Sequence, residues 1–181
     1  MDYSGNQFKA LVCEFMTNGS FDIWLHPVID NEKQSRNLSL LQSLNVAIDV
    51  ASAIDYVHNH SAQPNVHCDL KLSNILLDND MIACVSDFGL ARLFPTTDDS
   101  SQKHTSTIGI KGCIGYATPE YGMGCEASTK EDMYSYKIFL LEMFLGKRPT
   151  DKMFKDGLNF HNFAKMALPE MVTKMVAAGS C

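Results

Sequence analysis

The stretch Val66-His67-Cys68-Asp69-Leu70-Lys71-Leu72-Ser73-Asn74-Ile75-Leu76-Leu77 decides how the rest of the chain is read. Between Asp69 and Asn74 it places an acid, a cation and a carboxamide, and it then runs into an apolar, strand-like segment. Downstream, Val85-Ser86-Asp87-Phe88-Gly89 sets a second acid on a glycine turn after another short β-prone run, and Thr118-Pro119-Glu120 opens a further segment. Each string alone is weak, because Asp69 and Asn74 also suit a polar turn and Asp87 also suits a turn cap. Their order, and their common position where a strand gives way to a loop, is the informative feature.

Around this stretch, a length of 181 residues suits one domain, and 45% hydrophobic content is enough for a core. A net charge of −6 argues against non-specific binding to nucleic acid or to anionic membranes. The six cysteines form no CxxC pair and no metal-ligand rhythm, so they read as scattered thiols of a reducing compartment rather than as a disulfide framework. No basic-then-apolar leader opens the chain. The longest apolar run, 138–145, is interrupted by Glu142 and falls far short of the roughly 20 residues a membrane helix needs.

In chain order, residues 8–15 (FKALVCEF) predict a buried strand, 16–20 a loop, and Ser20 a cap for the short segment 21–26. From 39 to about 59, Leu40, Leu44, Ala47, Ile48, Ala51, Ile54 and Val57 recur at three and four, which predicts an amphipathic helix. His58 and His60 near its end read as partners of the helix dipole rather than as metal ligands. Residues 75–77 and 81–85 predict a hairpin turned by Asp78-Asn79-Asp80. The long polar segment 89–120 lacks periodicity, which marks a functional or a merely solvated loop. A second helix is predicted over 129–145 with Met133, Tyr136, Phe139, Leu140, Met143 and Phe144 apolar, and an amphipathic stretch over 158–166 ahead of Pro169.

The motifs HCDLKLSNILLD (67–78), SDFGLARL (86–93), GYATPEYG (115–122), DMYSY (132–136) and GKRPTD (146–151) identify a resemblance. The chain resembles the cytoplasmic kinase domain of plant leucine-rich-repeat receptor-like serine/threonine kinases, over nearly its whole length. The resemblance implies an α+β, protein-kinase-like fold, mostly the helical C-terminal lobe with a hinge strand and a small hairpin. Residues 1–20 would be the last small-lobe strand and hinge, and 21–181 a large lobe incomplete at its C-terminus, with most of the N-terminal lobe absent.

It also implies roles. Asp69 would accept or orient the attacking hydroxyl and Lys71 would lie beside the γ-phosphate of ATP, while Asn74 and Asp87 would hold Mg2+. Gly89 would let the chain turn after the metal ligand. Cys13 would stand at the gatekeeper position, Glu14 and Met16 would grip adenine through the backbone, and Leu76 would lie beneath the ring. His67 would pack against Phe88, Asp132 would accept amides of the catalytic loop, and Glu120 would pair with Arg148. Thr105, Ser106 and Thr107 are candidate phosphosites in the activation segment. Lys71 favours serine/threonine specificity, and Cys68, where many kinases carry Arg, resembles the non-RD receptors; Cys cannot pair with a phosphorylated loop as Arg would, so activation by that route is not expected.

The departures bear on activity. No GxGxxG precedes residue 8, and the lysine that holds the α- and β-phosphates, with its glutamate partner, is absent. Leu72 replaces the usual Pro, Thr118 the usual Ala and Lys137 a Gly of the second helix, where burial would make a lysine costly. Cys113 stands where the substrate loop normally offers a hydroxyl. The expectation is a kinase domain acting on protein Ser/Thr with Mg·ATP, nearly inactive as this polypeptide. The alternatives are a pseudokinase-like module pairing with a full-length receptor kinase, or a non-functional fragment. The chain itself reads as cytosolic, whereas complete relatives would be tethered to a membrane.

Overall fold

The computed structural model describes residues 12–27, 38–62, 65–93, 114–118, 128–154 and 160–178. Four helices organise them: α1 (Phe21–Leu25), α2 (Leu40–Asp55), α3 (Thr129–Leu145) and α4 (Phe160–Ala178). Four short strands, β1 (Asn65–Val66), β2 (Ile75–Leu77), β3 (Ala83–Val85) and β4 (Arg92–Leu93), form two antiparallel pairs, β1 with β4 and β2 with β3.

α2 begins where a capping box forms. The Ser39 hydroxyl accepts the Gln42 amide at 3.2 Å, and the Gln42 side chain accepts the Ser39 amide at 2.9 Å. The buried face of α2 is Val46, Ala47, Val50 and Ile54. The expected stripe shares only Ala47 and Ile54 with it, and Leu40, Leu44 and Ile48 stand exposed. The helix carries more apolar residues than one face can bury, so packing and not periodicity chooses the face. At its end, Tyr56–His60 widens into a π-turn that carries His58 into the interior, where its partner is the Asp132 side chain, a correction to the helix-dipole role expected of it.

α3 has the expected bounds and ends at Gly146, whose left-handed φ of 61° stops the helix. Of its expected apolar residues, Phe139 and Met143 are buried and Tyr136, Leu140 and Phe144 pack against the core, with polar residues buried beside them. Glu131, Asp132, Ser135, Ile138, Phe139, Glu142 and Met143 are buried, while Met133 and Lys137 are exposed. Lys137 therefore faces solvent, and the expected burial cost does not arise.

The core lies between α2, α3, α1 and the β2–β3 hairpin, with Phe21, Leu70, Leu72, Ile75, Leu77 and Phe139 almost wholly enclosed. Phe21 packs on Phe139 with ring centroids 5.9 Å apart, and the Tyr136 hydroxyl donates to Ala47 O at 2.9 Å, tying α3 to α2. The hairpin pairs Ile75 with Val85 and Leu77 with Ala83, so its second strand starts two residues later than expected. Residues 12–16 are not in a strand, and Val12, Cys13, Glu14 and Phe15 are exposed, which corrects the strand expected there; 8–11 lie outside the described residues. Ser20 occupies the N-cap of α1, but its side chain makes no capping bond; its backbone bridges Leu76 instead. α4 continues through Pro169, where an end was expected, anchored by buried Phe160 and Ala164.

Candidate active site

The loop between β1 and β2 is built around one buried carboxylate on α3. Asp132 accepts the His67 amide at 2.8 Å, the Cys68 amide at 2.9 Å and His58 Nε2–H at 2.8 Å. Cys68 is held at φ 65°, a left-handed conformation that a side chain disfavours by about 1–3 kcal/mol, and its amide bond to Asp132 helps to fix it there. A residue from a distant helix thus dictates the path of the chain just before Asp69.

Asp69, Lys71 and Asn74 converge. Lys71 Nζ lies 2.6 Å from Asp69 Oδ2, and Asn74 Nδ2 donates to Asp69 O at 2.9 Å and to Asp69 Oδ2 at 3.2 Å. Asp69 and Asn74 are buried, whereas Lys71 is half-buried. The 3-10 turn Leu72–Asn74 sets this spacing, closed by the Asn74 amide on Lys71 O at 3.0 Å, with Leu72 beneath it in the core. Two cross-links join the loop to the strand that delivers Asp87. Ser86 donates to Asn74 O through both its amide and its hydroxyl at 2.8 Å, and His67 Nε2 lies 2.9 Å from Ser86 O. Because His67 Nδ1 accepts the Asp69 amide at 3.2 Å, Nε2 must carry the proton in the neutral ring and donate to Ser86. The His67 ring meets Phe88 edge-on with centroids 4.6 Å apart.

Asp87 is exposed and takes φ 63°, so the left-handed residue of this turn is the acid itself and not Gly89, a correction to the expected turn. The role of Gly89 is space: a Cβ there would stand 3.2 Å from Asp87 Oδ1. These residues fit a hard cation. Asn74 uses its amide N–H groups on Asp69, leaving the carbonyl oxygen as its available donor, and Gly89 keeps the approach to the Asp87 carboxylate open.

Other expected site residues lie apart. Leu76 is half-buried on β2, Met16 is half-buried with its carbonyl taken by the Gly19 amide at 3.1 Å, and Glu14 and Cys13 are exposed. Glu120, Thr105, Ser106, Thr107 and Cys113 lie outside the described residues. Arg148 forms a two-pronged pair with Asp22 of α1, at 2.8 and 3.0 Å, and this partner was not foreseen.

Nor was the network on α3 foreseen beyond Asp132. Glu142 is fully buried, accepts from the Tyr116 hydroxyl, and lies 2.8 Å from His26 Nε2. Ser135 Oγ donates to Tyr116 O at 2.9 Å. Burial pushes the Glu142 carboxyl up, outweighing the Tyr116 and His26 hydrogen bonds and the nearby Arg148, which pull it down. Burial also raises the Tyr116 phenol, and its bond to Glu142 adds to the effect. The signal for Glu142 was present as the one charge in the apolar run 138–145; a carboxylate there requires a partner. Tyr116 forms one wall of a cleft of about 300 Å3 that Lys71, Ser73, Arg148 and Thr150 also line, next to the Asp69 cluster.

A family model described as protein tyrosine and serine/threonine kinase matches residues 3–177. The chain is 52% identical over 179 residues to a probable LRR receptor-like serine/threonine-protein kinase of Arabidopsis thaliana, covering 97% of this chain and 18% of that protein. It is 47% identical over 176 residues to the receptor kinase-like protein Xa21 of Oryza sativa subsp. japonica, covering 97% and 17%. It is 51% identical over 172 residues to the LRR receptor-like serine/threonine-protein kinase EFR of Arabidopsis thaliana, covering 93% and 17%. The chain therefore spans less than a fifth of the length of these relatives. Among the described residues no helix is long and apolar enough to cross a membrane.

Proposed function

Since the chain belongs to the protein tyrosine and serine/threonine kinase family, we propose that its Asp69 cluster is the phosphoryl-transfer site of a receptor-like serine/threonine kinase domain. The observation that carries this reading is the convergence of Asp69, Lys71 and Asn74 on a loop pinned from α3 by Asp132. Phosphoryl transfer asks a protein to position groups and to stabilise charge more than to form covalent bonds. Bound Mg·ATP would supply the transferable phosphoryl group, with Asn74 and Asp87 as the residues that hold the metal, Leu76 under adenine, and Glu14 and Met16 at its edge.

The protein's own part is orientation. Lys71 and Asn74 both fasten Asp69 Oδ2, which leaves Oδ1 to accept the proton of a substrate hydroxyl. Lys71, a compact charge on a flexible stem, stands between this carboxylate and the 300 Å3 cleft, where it can turn toward incoming phosphate. The cleft next to it would receive the Ser- or Thr-bearing segment of a protein substrate, and Thr105, Ser106 and Thr107 remain the proposed phosphosites.

As an isolated polypeptide, residues 1–181 carry no Gly-rich phosphate loop, and we expect transfer to be absent or nearly so. Loss of one preorganised donor in such a site costs about 2.7–4 kcal/mol of transition-state stabilisation. A second reading, a module that pairs with a full-length receptor kinase, is favoured by one observation: the apolar side chains of Val12 and Phe15 are 96% and 83% exposed, ahead of the segment whose Ser20 bridges β2.

The test is a thermal-unfolding scan with and without Mg·ATP, using Asp87→Asn as control, alongside a radiolabelled transfer assay. A transition raised by Mg·ATP in the parent but not in the variant supports a metal-nucleotide site. A cooperative transition indifferent to Mg·ATP overturns it. Transfer that Asp69→Asn abolishes would refute the expected inactivity while supporting the site.

A further inference from the structure

A groove of about 270 Å3 separates α2 from the turn of the β2–β3 hairpin, and none of its lining residues belongs to the Asp69 cluster. Gln42, Asn45, Ile48 and Asp49 form one wall, and Asp80 and Ile82 stand on the other. Ile48 is 62% exposed and Ile82 51% exposed, so both walls present aliphatic surface to solvent. Ile48 also ends a ridge with Leu41 and Leu44, spaced by three and four along α2 and likewise exposed.

The groove is preformed. The Asp78 carboxylate accepts the Asp80 and Ile82 amides, each at 2.9 Å, which fixes the turn. Asp49 Oδ2 accepts the Ala83 amide at 3.0 Å, which fixes the turn against α2. The field inside it is negative. Asp49, Asp78 and Asp80 cluster at the groove, and among the described residues none of the ion pairs brings a Lys or Arg to them. The neighbouring Cys84 thiol feels the same field: burial raises its pKa most, and the charges of Asp78, Glu14 and Asp49 raise it further.

We infer that this groove docks a short segment of a partner protein that carries an aliphatic residue beside Lys or Arg. The volume is below the usual range of small-molecule sites and suits one or two side chains, while exposed isoleucines beside carboxylates that no Lys or Arg among the described residues ion-pairs select an apolar anchor with a basic flank. The site is separate from phosphoryl transfer and stands whether or not the chain is catalytic.

The experiment titrates the 181-residue chain into fluorescently labelled synthetic peptides and reads anisotropy at low and high salt. One peptide alternates Leu with Lys, a second replaces Lys by Glu, and a third replaces Leu by Ser. Binding of the first alone, weakened about tenfold or more by Ile48→Ser, and weakened with a flatter salt dependence by Asp80→Lys, supports docking. Both substitutions fall on exposed side chains, and the unfolding transition of each variant is checked against the parent. If Ile48→Ser does not fold, Asp80→Lys decides the matter, because only the Asp80 backbone is used in the turn. Equal binding of the acidic peptide, or affinity unchanged in the folded variants, overturns the inference. Self-association of the chain that Ile48→Ser removes also overturns it, by assigning the groove to a second copy.

Discussion

Replacing Asp132 tests the architecture of the site most directly, because one side chain, 1% exposed, holds three donors from two other segments. Each is a hydrogen bond to a charged group, worth about 1.5–3 kcal/mol alone. The three share an acceptor and cannot be added. Asp132→Ala leaves the His67 amide, the Cys68 amide and His58 Nε2–H buried without their partner; at about 1–3 kcal/mol for each unsatisfied buried donor, less than additive because they share one acceptor, the expected cost is about 3–5 kcal/mol. A domain's whole stability is about 5–15 kcal/mol. Asp132→Asn keeps the shape and one acceptor oxygen but turns an NH2 group toward donors, for an expected cost of about 1–3 kcal/mol.

Urea unfolding reads the magnitude, and native-state hydrogen exchange reads the place. The His67 and Cys68 amides should lose protection in Asp132→Asn before the α3 backbone does. In a thermal scan the Ala variant should melt lower by about 6–20 °C, given about 2–4 °C per kcal/mol in a chain of this length. If Asp132→Asn changes stability by less than about 0.5 kcal/mol and leaves both amides protected, Asp132 does not organise the loop, and the reasoning fails.

Three further outcomes are expected. Burial raises Glu142 above its ordinary 4.5, so between that value and its folded-state value the folded chain binds more protons than the unfolded one. Stability from this group is full below 4.5 and declines as pH rises through the folded value; a stability–pH curve for Glu142→Gln should lose that decline. Gly19 has φ +67°, and a Cβ there would stand 2.9 Å from Ile23 Cδ1, so Gly19→Ala should cost about 1 kcal/mol or more in urea unfolding. Lys137 is exposed, so Lys137→Ala should change stability by no more than about 0.5 kcal/mol, where a buried lysine would have given a large gain on removal.

What could be read from the sequence was local. The start of α2 at a capping serine and both bounds of α3 follow from signals that sit within a few residues of each boundary. The spacing of Asp69, Lys71 and Asn74 could be read for the same reason, since a single 3-10 turn brings them together. The helix faces could be read only in part. α2 is apolar on more than one side, so periodicity did not choose its buried face, and on α3 the apolar residues other than Met133 do lie at the core, but Glu131, Asp132, Ser135 and Glu142 are buried with them.

The reason lies in where the partners come from. Asp132 is buried because His58, 74 residues earlier, swings inward on a π-turn to meet it, and Glu142 is buried because His26, 116 residues earlier, and Tyr116 complete its hydrogen bonds. A buried carboxylate is tolerable only when such partners exist, and no window along the chain contains them. The same polar contacts that made α3 hard to read hold the loop of Asp69 and the wall of its cleft in place, so the residues that broke the hydrophobic pattern are the ones that build the site.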